Sequence, residues 1–267
     1  MAARRSAIVN VMEKAARKAA RGLIRDFGEV EQLQVSIKGP ADYVSQADHR
    51  AERILREELG KGRPGVGFLM EEAGETAGED GEHRWVVDPL DATTNFLHGI
   101  PHFCISIAYE RKREPIAGVI YDPLRDEMFW AEKGIGAYVN DRRLRVSARR
   151  SLADAVLATG IPFGARRGKD EFVTTLRGVM EATAGVRRMG SAALDLAYVA
   201  AGRFDGFWET ELSPWDVAAG VVLVREAGGF VTTIAGGDDM IYGGSILAAN
   251  TALHAPLVKL LAGVAQI

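Results

Sequence analysis

Apolar residues in the first 28 positions recur at every third or fourth place: Ile8, Val11, Met12, Ala15, Ala19, Leu23 and Phe27. That period predicts an amphipathic helix, with Gly28 as its stop. A second helix is expected from Asp48 to Leu59, where Ala51, Ile54, Leu55 and Leu59 share a face. Between the two, Lys38-Gly-Pro-Ala-Asp42-Tyr-Val-Ser reads as a turn entering an extended segment. The Gly/Pro-rich stretch 61–67 leads into Val66-Gly-Phe-Leu-Met70, a short strand ending at Glu71-Glu72. An acidic surface loop is expected from Ala73 to Glu82. Trp85-Val-Val then forms a compact buried strand that stops at Asp88-Pro89.

From 103 to 147 the pattern changes to strands separated by turns. Strands are expected at 103–110, 115–121, 127–131 and 136–140, punctuated by Asp122-Pro123 and Lys133-Gly134. Beyond 150 the two kinds of element alternate. Helices are expected near 170–183, 191–201, 214–227 and 251–263, and strands near 155–159, 204–208, 229–233 and 245–249. No long linker, low-complexity tract or repeat interrupts them. The mixture predicts layered α and β structure with a seam near 150, dividing the chain into halves 1–150 and 151–267.

Composition adds exclusions. The chain has 267 residues, 47% hydrophobic and 26% charged, enough to bury a substantial core. With 33 basic and 36 acidic side chains the net charge is -3, so no bulk field demands a nucleic acid or a membrane. Every apolar run breaks before about 18 residues, so no spanning helix is expected. Arg4-Arg5 is followed by no apolar stretch and does not read as a twin-arginine signal, which leaves a cytoplasmic location as the expectation. The single cysteine, Cys104, excludes an internal disulfide; in its apolar surroundings it reads as a buried structural thiol.

The chemistry concentrates around Trp85-Val-Val-Asp88-Pro-Leu-Asp91-Ala92-Thr93-Thr94-Asn95-Phe96. An apolar strand ends at Asp88, proline turns the chain, Asp91 follows, and Thr93-Thr94 suits the opening of a helix. Two carboxylates three apart on a sharp turn can face one point, an arrangement that favours a cation between them. The N–H groups opening the helix would accept a phosphate. Taken alone, both aspartates could simply cap the helix. Three further acidic places change that picture: Glu71-Glu72 at a strand end, Asp216 in the first turn of an apolar helix, and Asp42 and Asp48 around the second helix. Together they supply the oxygen-only donors that Mg²⁺ prefers.

Four blocks resemble the inositol monophosphatase family of lithium-sensitive, metal-dependent phosphatases, in order and spacing across essentially the whole chain. They are Lys38-x₃-Asp42-x-Val44-Ser45-x₂-Asp48; Glu71-Glu72; Asp88-Pro-Leu-Asp91-Ala-Thr93-Thr94-Asn95-Phe96; and Trp215-Asp216-x-Ala218-Ala219-Gly220 with Glu226-Ala-Gly228-Gly229. Gly190-Ser191-Ala192-Ala193-Leu194-Asp195-Leu196-Ala197 is similar to the family's substrate-side helix start. The resemblance implies an α-β-α-β-α layered fold, a homodimer, and two or three Mg²⁺ ions per site, with Mn²⁺ as a substitute. It implies Glu71, Asp88, Asp91, Asp216 and the Leu90 carbonyl as metal ligands. Asp48, Thr93 and Glu71 would serve the attacking water. Ala92 and Thr93 would contact phosphate, and Gly190, Ser191, Ala192, Glu209, Asp91 and Asp216 the rest of the substrate.

Three positions depart from the family pattern: Ala92 and Met70 stand where glycine is usual, and Ala47 where threonine is usual. A positive φ at Ala92 would strain the turn by about 1 kcal/mol; a helical φ would make alanine harmless. The expected reaction is in-line hydrolysis of a small phosphate monoester without a covalent enzyme intermediate. Inositol 1-phosphate is the first substrate expected, histidinol phosphate the second; fructose 1,6-bisphosphate and nucleotide 3′-phosphates are further options. An accessory role in ribosomal RNA transcription, contacting RNA or the transcription machinery, is the alternative from a different class.

Other signals carry less. His98 and His102 are separated by Gly99 and Pro101, which spoils a helical zinc pair. Gly134-Ile-Gly136 reads as a hairpin turn, Asp195 as an exposed helix charge, and the arginine clusters at 142–145, 149–150, 166–167 and 187–188 as solvated faces, some of which could rim the site entrance.

Overall fold

The computed structural model describes residues 5–29, 35–39 and 42–264, with 35–39, 42–45 and 263–264 described by backbone alone. The expected roles of Lys38 and Asp42 therefore fall outside the described side chains.

The first helix, α1 (Ala7–Phe27), opens on Ser6, whose side chain accepts from the Val9 N–H at 3.2 Å. It packs beside α2 (Gln46–Gly62), reached through the antiparallel pair β1 (Val35–Gly39) and β2 (Asp42–Ser45). Eight strands follow in one sheet: β3 (Gly67–Met70), β4 (Gly74–Thr76), β5 (His83–Asp91), β6 (Cys104–Arg111), β7 (Glu114–Asp122), β8 (Glu127–Glu132), β9 (Gly136–Val139) and β10 (Arg142–Arg143). Their order is β10-β9-β8-β7-β6-β5-β3-β4, antiparallel except at β3–β5. A short helix, α3 (Thr93–Leu97), follows β5.

The second half contains β11 (Val156–Thr159), α4 (Lys169–Ala182), β12 (Gly185–Arg187), α5 (Ala192–Ala200), β13 (Gly206–Thr210), α6 (Pro214–Glu226), β14 (Phe230–Thr232), β15 (Ser245–Ala249) and α7 (His254–Val264). Its five strands run in the order β12-β11-β13-β15-β14, with β11 parallel to both neighbours.

Alternation along the strands makes the layers. In β5, Trp85 and Val87 face α1 and α2, while Val86 faces the opposite core; β8 does the same with Met128 and Trp130 against Phe129 and Ala131. α5 and α6 fill the space between the two sheets, and α4 and α7 cover the outer face of the five-stranded one. The result is the α-β-α-β-α layering expected. α6 approaches the large sheet so closely that a Cβ on Gly118 of β7 would lie 2.6 Å from the Ala219 carbonyl oxygen.

Two expectations need correcting. The acidic loop contains a strand, β4, which pairs along β3. The buried strand does not stop at Asp88-Pro89 but runs to Asp91. Asp88 faces Ser106 and Asp91 faces Cys104, so β5 takes three steps where β6 takes two. That bulge tolerates Pro89, which has no N–H to donate.

Candidate active site

The bulge is what makes the aspartates converge. On a regular strand, residues three apart point to opposite faces; one extra residue returns them to the same side. Asp88, Asp91 and Asp216 offer oxygens that all lie within 4.8 Å of one another. Asp48, Glu71 and Glu72 form a second such group, delivered by the start of α2 and the end of β3. The groups adjoin, because Glu71 and Asp48 both act on the ionisation of Asp88.

Each aspartate of the first group is held by the fold. Asp88 accepts from the Leu90 N–H at 2.9 Å, and Asp216 from the Ser213 N–H at 2.6 Å as an N-terminal cap of α6. Asp216 thus completes the capping box of α6, whereas neither Asp88 nor Asp91 caps α3, whose N-cap is Ala92, so the simpler reading does not hold. Asp88 and Asp216 each use one oxygen, and the second has no protein donor among the described residues. Asp91 accepts from the Ser191 hydroxyl at 2.5 Å and the Ala193 N–H at 2.9 Å. Cys104 is buried beside it, its thiol pushed well up in pKa by burial, which suits the structural role expected.

Burial disfavours ionisation throughout. It raises Asp88 well above the carboxylate range, helped by the charges of Glu71, Asp91 and Asp216. It raises Asp91 despite the donors from Ser191 and Ala193. Burial and Asp91 push Asp216 to about 7. None of the three pairs with a Lys, Arg or His among the described residues. Buried acids of like charge without a cationic partner fit a divalent cation, and all-oxygen donors fit a hard one.

The carboxylates border a cavity of about 160 Å³. Glu71, Leu90, Ala92, Thr93, Gly190, Ala192 and Glu209 of the expected set line it. Asp48 and Ser191 are buried and do not line it; Ser191 stands behind Asp91 and caps α5 through the Leu194 N–H. The Thr93 hydroxyl donates to the Leu90 carbonyl at 3.0 Å. Ala92 has φ 76°, so the strained branch of the expectation applies. Asn95 ties the halves together by donating to His102 O and Met189 O, both at 2.9 Å.

Thr159, Gly160, Phe163 and Asp195 also line the cavity and were not foreseen as site residues. Thr159 ends β11, and strand ends of parallel pairs are where ligands gather. A Cβ on Gly160 would fall 1.9 Å from a Glu209 oxygen, so glycine is what lets that carboxylate in. Burial and Asp216 push Glu209 to about 8. Arg166 and Arg188 flank the Phe163 ring at 5.3 and 5.7 Å, and Arg166 lies 3.9 Å from Glu209, so these two do rim the site.

Asp195 corrects the expectation of an exposed charge: it is 1% exposed. α5 lies between two sheets and has no solvent face. An acid inside the otherwise apolar Ala192–Ala200 was the available signal. His102 is buried, held down to about 4 chiefly by burial, and neither it nor His98 joins a metal-capable group among the described residues.

With this geometry in hand, comparisons place the chain among known proteins. The model of the inositol monophosphatase family matches residues 4–266. The chain is 60% identical to an inositol-1-monophosphatase of Mesorhizobium japonicum, over 96% of each. It is 45% identical to the Nus factor SuhB of Pseudomonas aeruginosa, over 91% of this chain and 92% of that one. Its fold is similar to the crystal structure of the extragenic suppressor protein suhB from Bartonella henselae, with TM-score 0.93 and 58% identity over 96% and 98% of the two chains.

Proposed function

The chain belongs to the inositol monophosphatase family, and from that premise we propose that it hydrolyses a small phosphate monoester with Mg²⁺, inositol 1-phosphate before histidinol phosphate. One observation carries the reading: the buried Asp88 and Asp91 and the half-buried Asp216, all reluctant to ionise, stand together on a small cavity. The family is metal-dependent, and these acids could hold the metal.

Glu71, Asp88, Asp91, Asp216 and the Leu90 carbonyl are the proposed ligands of two or three Mg²⁺ ions, replaceable by Mn²⁺. When bound, such ions neutralise phosphoryl charge and lower the pKa of a water. The chain's own part is positional. Ala92 and Thr93 would receive the phosphate, Thr93 with Asp48 and Glu71 would orient the water, and Gly190, Ala192 and Glu209 would hold the alcohol. Ser191 acts on the substrate through Asp91, which its hydroxyl steadies. The proposed division of labour puts most ligands in residues 1–150, and Asp216 and the alcohol pocket in 151–267.

A phosphate-release assay over a panel of monoesters, with Mg²⁺ or with chelator, tests this. Asp91→Asn should lower turnover more than about a hundredfold while the fold persists. Near-normal activity in that variant would remove the ligand assignment, and no release from any ester would remove the enzyme.

The similarity to a Nus factor supports a second reading, an accessory role in transcription. Its mark would be RNA affinity falling steeply with salt. Light scattering would test the homodimer and fractionation the cytoplasmic location; no helix among the described residues is long and apolar enough to cross a membrane.

A further inference from the structure

Asp195 is an acid to which the reaction above gives no task. It occupies the first turn of α5, all of whose residues are buried, and its Oδ1 has no hydrogen-bond partner among the described residues. No Lys, Arg or His among the described residues forms an ion pair with it. Burying a carboxyl without a partner is unfavourable, and a fold retains one where a ligand supplies the missing donor. Asp195 lines the cavity, where the charges of Glu209 and Asp91 oppose its ionisation and that of Arg188 favours it.

We propose that Asp195 is a specificity-determining residue that accepts a hydrogen bond from a hydroxyl of the ester's alcohol part. Asp195 and Glu209 together then select polyhydroxylated phosphate monoesters over esters of apolar or aryl alcohols. The inference rests on the phosphatase reading and deepens it. Two acceptors on one wall match two hydroxyls, which a simple alcohol lacks. A site built to pair with a hydroxyl rejects analogues that lack it, since its own polar group is then left stranded.

The test measures kcat/KM with Mg²⁺ for inositol 1-phosphate and for p-nitrophenyl phosphate, which carries no hydroxyl. In Asp195→Ala the ratio between the two should fall roughly 10- to 100-fold, chiefly through KM for the hydroxylated ester. Asp195→Asn keeps an acceptor and should restore part of the ratio. The melting temperature of Asp195→Ala should not fall, because no protein partner is lost. A ratio within about twofold of the parent's, whether both esters suffer or neither does, overturns the proposal. So does a lowered melting temperature, which would make the side chain structural. If the parent protein hydrolyses neither ester, the phosphatase reading itself has failed, an outcome distinct from an unchanged ratio.

Discussion

Ala92 stands in the left-handed region, with φ 76° and ψ 45°, between the last proposed ligand of β5 and the first residue of α3. A Cβ is costly there by about 1 kcal/mol, which glycine avoids. Ala92→Gly should therefore raise unfolding stability by about 1 kcal/mol in urea titration. An unchanged or lowered midpoint would mean that the turn carries no strain. Gly160 shows the opposite constraint: its missing side chain is the space that the Glu209 carboxylate occupies. The type of residue 92 was readable from the chain, but its φ was not, because a turn's handedness depends on the bulge before it and the helix after it. Gly160 gave no local sign at all, since its crowding comes from a residue 49 places away.

At the scale of elements, α6 is the decisive piece. It begins at Pro214 and presents Asp216 within its first turn. Its distance from the large sheet is set by Gly118, and its contact with α5 by Gly220, where a Cβ would lie 2.5 Å from Leu196. Gly118→Ala should push α6 outward and destabilise the protein by about 1–3 kcal/mol. Because Asp216 moves with the helix, Mg²⁺ affinity should weaken as well, measurable by calorimetric titration. Stability lost with metal affinity intact would separate the helix from the site. Most helices and strands were legible because their apolar periods are long. The short strands β4 and β12 were missed; three residues are too few to show a period, and only a neighbouring strand makes them extended.

Across the whole molecule, the buried acids link protonation, metal and stability. Asp216 moves from an ordinary 3.8 to about 7 and Glu209 from 4.5 to about 8. An acid raised in the folded state binds more protons folded than unfolded. Its contribution is complete below the unfolded value and is lost as pH rises through the folded value. In chelator, stability from these two groups should decline between about pH 4 and about pH 8. A divalent cation prefers the ionised form of Asp216, so the gap in melting temperature between Mg²⁺ and chelator should widen as pH rises towards about 7. A constant gap would show that Asp216 does not meet the metal.

The amino-acid order alone determined the elements with clear periods, the layered class, and the identity of the acids, since residue type and local spacing reside in short stretches of chain. The blocks around Asp88, Glu71 and Asp216 were visible for the same reason. Only the tertiary structure decided which oxygens meet. The bulge that brings Asp88 and Asp91 to one side comes from pairing with β6, and Asp195 becomes buried only because two sheets enclose α5. Burial and convergence belong to pairs of segments distant along the chain, and no local pattern encodes them.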